Sequence, residues 1–151
     1  MGGLSLLSLE NQVFRCYLTY TSILVLKMML MSILTSVQRR KHGVLTSPED
    51  APLLKPLRKS HDDVDRVRRA HLNDMENIPL FFVVGFTYIL TNPAPLIASY
   101  IFRIYTVSRI IHTFVYAIYV IPQPARGLAW VVGYLVNAYM AVRTIITFAT
   151  W

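Results

Sequence analysis

Residues 67 to 82 read VRRAHLNDMENIPLFF. Two arginines, a histidine, an asparagine, an aspartate and a glutamate crowd into the first ten positions, and the chain then turns apolar without a break. A single helix from Asp63 to Thr91 reconciles the two halves. It would extend about 43 Å at ~1.5 Å per residue, whereas the hydrocarbon core of a bilayer is about 30 Å thick. The polar turns then project into water, the run from Ile78 to Leu90 lies in lipid, and Glu76 sits near the boundary. Pro79, just inside it, is where a kink is expected.

The rest of the 151-residue chain agrees with a membrane setting: 54% of it is hydrophobic, 15% is charged and the mean hydropathy is +0.45. The stretches Asn77 to Phe102 and Gly127 to Val142 contain no charge at all. A soluble helical bundle would carry charges every few residues on its outer faces. Four spans are expected, at about 11–37, 63–91, 96–120 and 127–150. TNPAPL (91–96) and IPQPARG (121–127) form Pro-rich turns. The expected fold is all-α, a single integral membrane four-helix bundle over 1–151, with a cytosolic loop at 38–62.

Nine of the fifteen Lys and Arg residues lie between Gln38 and Leu72, with acids interleaved. Balanced charge beside a membrane is a poor phosphate rail, which argues against nucleic acid despite the net charge of +7. The same cluster is a positive-inside signal. It places the 38–62 loop and the turn carrying Arg126 in the cytosol, and both termini and TNPAPL on the far side. The start, MGGLSLLSLENQ, has no basic n-region, so the first span is expected to act as its own insertion signal. The single cysteine, Cys16, rules out an intramolecular disulfide and reads as a small apolar residue.

On the protruding helix Arg69, Asn73 and Glu76 follow at i, i+4 and i+7, on one face, with Arg66 at its edge. They form either an ion-pair ladder on a solvated helix or half of a binding site. Arg109, His112 and Tyr116 repeat the pattern in the third span. A charge near a span centre costs ~2.5–3.5 kcal/mol on insertion scales, so such residues face an interior, a cavity or a partner. Pairing of Arg109 with Glu76, and His112 as a satisfied interior histidine, are the simple alternatives. Lys27 and Arg103 read as lone spanning cations with structural or snorkelling roles.

Arginines, an amide, a histidine and a tyrosine gathered at one end of a bundle suit a small polyanionic ligand, because guanidinium forks match carboxylates two bonds at a time. No HExxH, Walker loop, dinucleotide fingerprint, cysteine nucleophile beside a base or carboxylate cluster for a metal is present, and no metal is expected.

VRRAHLNDMENIP resembles the signature of the membrane-associated proteins in eicosanoid and glutathione metabolism, the MAPEG family, on its microsomal glutathione transferase side. The likeness continues through LKMMLMS (26–32), SPED (47–50), RIIHTFVY (109–116) and PQPARGL (122–128). The resemblance implies a homotrimer in the endoplasmic reticulum or outer mitochondrial membrane, binding glutathione as co-substrate at the cytosolic side between neighbouring subunits. By matching position, the glutathione ligands it implies are Arg39, Arg69, Asn73, Glu76, His112 and Tyr116, with Arg109 in support. Arg126 matches the catalytic arginine assigned to the thiolate. The implied activity is conjugation of glutathione to lipophilic electrophiles in detoxification, together with reduction of lipid hydroperoxides.

Three departures bear on this expectation. Leu72 stands where the prostaglandin E synthase relatives carry a further arginine, and Gly127 and Trp130 replace their serine and tyrosine. Ala51 follows SPED where vertebrate transferases of this type have a cysteine, so activation through that thiol is expected to be absent. A glutathione-dependent prostaglandin E synthase and a non-catalytic, lipid-presenting adapter are the competing readings, with an anion channel behind them.

Overall fold

The computed structural model describes residues 3–44, 47 and 60–149. Most of SPED, Ala51 and much of the 38–62 loop lie outside the described residues. After one helical turn, Gly3–Leu6, come four long helices: α1, Gln12–His42; α2, Asp62–Ile89; α3, Pro95–Thr113, which runs into a π-helical turn, Phe114–Ile118; and α4, Ala125–Phe148. No strand occurs among the described residues.

The helix ends follow from local chemistry. The Asn11 side chain accepts the Val13 amide at 2.9 Å and starts α1. Gly43, at φ 64°, adopts the left-handed conformation that ends it. Asp62, Asp63 and Asp65 occupy the first turn of α2, where the helix dipole favours negative charge. The turn before α3 needs a positive φ at Asn92 (51°), a residue that tolerates it, and Pro95 then presets the first helical turn. Pro79 lies inside α2 without ending it.

Each helix packs on two neighbours: α1 on α2 and α3, and α4 on α2 and α3, which leaves α2 and α3 across the diagonal. On α2 the buried positions Val67, Ala70, Asp74, Ile78, Phe81, Gly85 and Tyr88 recur every three or four residues. That is the spacing of a seam between packed helices. Phe81 stacks on Tyr105 at 4.3 Å and meets Phe102 edge-on at 5.8 Å, forming the aromatic centre of the bundle. At Gly133 a Cβ would lie 3.1 Å from Ser108 Oγ, so the missing side chain permits the close approach of α4 to α3.

The polarity of the bundle is inverted relative to a soluble protein. Leu26, Met29, Leu30 and Ile33 on α1 and Leu128, Leu135, Ile145 and Ile146 on α4 are exposed, while Lys27, Asp74, Arg109, His112 and Asn137 are buried. An apolar outer surface of this extent is covered by lipid. Both α1 and α4 are long and apolar enough to cross a membrane. Outward hydroxyls find partners on their own helix: Thr19, Ser22 and Thr147 each donate to the carbonyl four residues back. The fold is an all-α membrane bundle. Cys16 packs, partly buried, against its core.

One bond between helices makes a first prediction. The Tyr105 hydroxyl donates to the Asn77 carbonyl at 2.8 Å, tying α3 to α2 two residues before Pro79. Tyr105→Phe should lower stability by about 1 kcal/mol. Denaturation in detergent checks this, and an unshifted transition would show that the bond contributes nothing.

Candidate active site

The π-helical turn decides how the site is shaped. Its wider loop is closed by the Tyr119 amide, which donates to the Phe114 carbonyl at 2.8 Å, five residues back. The turn carries Tyr116 between the end of α3 and the start of α4. There the Arg126 guanidinium lies over the Tyr116 ring, 4.4 Å from its centroid. A cation held on an aromatic face keeps its position and its charge without a neutralising carboxylate. The His112 ring meets Tyr116 edge-on at 5.6 Å.

These groups face a cleft of about 380 Å³ lined by Arg69, Asn73 and Glu76 of α2, His112 of α3, Tyr116 of the π turn and Arg126 of α4, with Leu72, Gly127 and Trp130 completing its walls. Two guanidiniums oppose one carboxylate, so its formal charge is positive. The first turn of α4, whose backbone N–H groups carry the positive end of the dipole, supplies Arg126 and adds to that preference for an anion. His112 Nδ1 is buried and finds no hydrogen-bond partner among the described residues. A ligand with its own polar groups would satisfy it.

Behind the cleft lies a charge network. Asp74, fully buried, accepts from the Lys27 ammonium through Oδ2 and from Arg109 Nη2 through Oδ1 at 2.6 Å. The same Arg109 nitrogen donates to Asn73 Oδ1 at 2.8 Å. Asn73 is therefore held from behind by Arg109 while it lines the cleft in front.

The MAPEG family profile matches residues 17–146. The chain belongs to the MAPEG family. It is 40% identical over 141 residues to microsomal glutathione S-transferase 1 of Homo sapiens, covering 89% of this chain and 90% of that protein. It is 41% identical over 149 residues to the Bos taurus protein of the same name, with 95% of each covered. To prostaglandin E synthase of Canis lupus familiaris it is 35% identical over 138 residues, with 90% of each covered.

In this MAPEG chain six of the eight residues singled out from the sequence converge on one cleft: Arg69, Asn73, Glu76, His112, Tyr116 and Arg126. The other two do not. Arg39 lines a separate groove of about 580 Å³, which shares Arg69 and Leu72 with the cleft as a common wall. Arg109 is only 1% exposed and is absent from the cleft lining, so it reaches the site through Asn73.

Several expectations about pairing need correction. Arg109 pairs with Asp74, not with Glu76, because Asp74 falls on the buried stripe of α2 and Glu76 on its exposed side. Lys27 is not a lone cation; it shares that aspartate. Arg103 donates from Nε to the Tyr20 hydroxyl at 3.0 Å. The ion-pair ladder on α2 falls on Asp63 with Arg66 and Asp65 with Arg68, at 2.9 and 3.3 Å, and among the described residues no ion pair joins Arg69 to Glu76. Asp74 is the residue that sequence reasoning passed over. Its signal was a carboxylate in register with Val67, Ala70, Ile78 and Phe81 on an apolar seam, where a charge requires a partner.

Proposed function

We propose that this protein is a membrane-bound glutathione transferase that binds glutathione in the cleft and activates its thiol with Arg126. The observation that carries the reading is the convergence of Arg69, Asn73, Glu76, His112, Tyr116 and Arg126, from three helices and a π turn, on one cationic cleft. The arginines suit the two glutathione carboxylates, Glu76 suits its ammonium group, and Asn73 suits a peptide amide.

The chemistry follows from the thiol. With a pKa of ~8.5 only a few per cent of it is ionised at neutral pH, and the thiolate is the nucleophile. A guanidinium beside the sulfur in a poorly hydrated cleft favours the charged form by ~1.4 kcal/mol for each unit of pKa lowering. The thiolate then forms a carbon–sulfur bond with a lipophilic electrophile as the leaving group departs with its electron pair. With a lipid hydroperoxide it attacks the terminal oxygen, releasing the lipid alcohol and a sulfenic acid. A second glutathione condenses with the sulfenic acid to a disulfide and water. Substrates dissolved in the bilayer approach from the side, which is a reason for such an enzyme to reside in a membrane.

The relatives named prostaglandin E synthase supply the second reading. Leu72, Gly127 and Trp130, which depart from that branch, all line the cleft, and this favours conjugation. The adapter reading gives no reason for the polar set to be assembled.

The reading includes a homotrimer in the endoplasmic reticulum membrane, and also in the outer mitochondrial membrane, with the four helices spanning and the cleft on the cytosolic side. Arg39 then reaches glutathione from a neighbouring copy, since in its own chain it lines the adjoining groove and not the cleft. Co-expression of Arg39→Ala with Arg126→Ala should restore part of the activity that each homotrimer lacks, by pairing one intact half-site from each variant. Absence of restoration would confine the site to one chain.

The decisive measurement is thiolate absorbance on mixing detergent-solubilised protein with glutathione across a pH series, followed by conjugation of an aryl halide. Thiolate appearing well below the ordinary thiol pKa of ~8.5, with conjugate formed, supports the transferase. Glutathione binding with neither signal would favour the adapter.

A further inference from the structure

A second cluster of chemically capable side chains lies away from the cleft, where α1 ends and α2 begins. His42 is the last residue of α1, His61 is the N-cap of α2, and Asp63 lies in its first turn. His42 Nε2 is 3.3 Å from Asp63 Oδ2, and His61 Nδ1 is 3.8 Å from the same oxygen. One donor atom from each of the three lies within 4.8 Å of the others. The two imidazoles stack with centroids 3.6 Å apart.

Those separations fit a small metal centre. With zinc–nitrogen and zinc–oxygen bonds of ~2.0–2.2 Å, the corners of a tetrahedral site stand about 3.3–3.6 Å apart. The His42 to Asp63 separation already has that length. Closing the His61 to Asp63 separation takes a few tenths of an ångström; the two imidazole nitrogens lie within 4.8 Å of each other, and the rings, now 18° from parallel, must rotate out of their stack for both lone pairs to meet one ion.

Two further bonds prepare the ligands. His61 Nδ1 accepts the Asp63 amide at 3.2 Å, which presents its single lone pair on the side of Asp63, and a metal bound there takes the place of that amide bond. Arg66 Nη1 holds Asp63 Oδ1 at 2.9 Å, which orients the carboxylate and leaves Oδ2 toward the imidazoles.

We propose that His42, His61 and Asp63 bind a divalent transition-metal ion of the zinc class, which staples the end of α1 to the start of α2. Two imidazoles and one carboxylate select zinc, cobalt or nickel over magnesium and calcium, which prefer all-oxygen sites. This runs against the sequence expectation of no metal, because the ligands are separated by the whole 43–60 connection and no short motif links them. The ion is structural, and the thiolate chemistry does not depend on it.

The test uses the full chain, purified in detergent without a polyhistidine tag and titrated with cobalt(II). The expected result is the intense visible absorption of four-coordinate cobalt, saturating at one ion per chain and displaced by zinc. It should vanish in His42→Gln and in His61→Asn, the latter keeping a good N-cap acceptor so that α2 still starts correctly. It should survive in His71→Gln, a histidine outside the cluster. Zinc should raise the denaturation temperature of the wild type and leave that of His42→Gln unmoved. Only the weak absorption of six-coordinate cobalt, or strong bands that persist in both cluster variants with circular dichroism intact, would overturn the proposal.

Discussion

Arg126→Ala should abolish the glutathione thiolate signal near neutral pH and lower kcat/KM for conjugation by about 10²–10³-fold, the usual loss when one group stabilising a reacting anion is removed. The loss should be uneven across pH. Above the free thiol pKa of ~8.5 the thiolate forms without help, so the gap between variant and wild type should narrow as pH rises. Glutathione binding should weaken less, because Arg69, Asn73, Glu76 and His112 still line the cleft. Arg126→Lys should restore only part of the rate. An ammonium keeps the charge but loses the broad guanidinium that lies over Tyr116, its carbon 4.4 Å from the ring centroid. A wild-type thiolate titration in Arg126→Ala would transfer the role to Arg69 or His112.

What the sequence made legible, and what it concealed, can be traced to particular residues. Arg69, Asn73 and Glu76 share a face because α-helical geometry alone puts i, i+4 and i+7 together, and no tertiary information is needed. Arg109, His112 and Tyr116 obey the same rule on paper, yet Arg109 is buried behind the cleft while Tyr116 lines it. Arg109 and His112 part within the α-helix, one buried behind and the other lining the cleft, and Tyr116 stands in the π-helical stretch Phe114–Ile118, whose wider turn departs from the spacing assumed for i+7. Nothing in FVYAI announces that change.

Asp74 was concealed differently. A run as polar as RRAHLNDME invites the reading that all its charges face water. Only the register of the apolar residues on either side places one of them inside, and the identity of its partners depends on α1 and α3. His42 and His61 show the extreme case, since a cluster assembled from two helix ends has no signature in either.

Asp74→Asn should be among the most damaging single changes outside the cleft. In the wild type one carboxylate faces the Lys27 ammonium and the Arg109 guanidinium, all three with little or no exposure, so the interior carries one net positive charge. Asparagine preserves the shape and one acceptor but leaves two cations unopposed, and breaking a buried ion pair in this way costs about 3–5 kcal/mol. The change should also reach the site. The 2.6 Å charged bond that fixes Arg109 would be reduced to a neutral one, and its 2.8 Å bond to Asn73 would lose that anchor, raising the KM for glutathione in whatever protein still folds. Lys27→Met separates charge from hydrogen bonding. Removing that cation leaves Asp74 and Arg109 as a neutral pair, and the thioether fills much of the lysine volume, so stability should change little or rise. Denaturation in detergent of the two variants decides between the mechanisms. If Asp74 served mainly to satisfy donors, Asn would be tolerated. If it balances charge, Asp74→Asn fails where Lys27→Met survives, and the mid-bundle cation on α1 is dispensable only while the carboxylate it faces is still needed by Arg109.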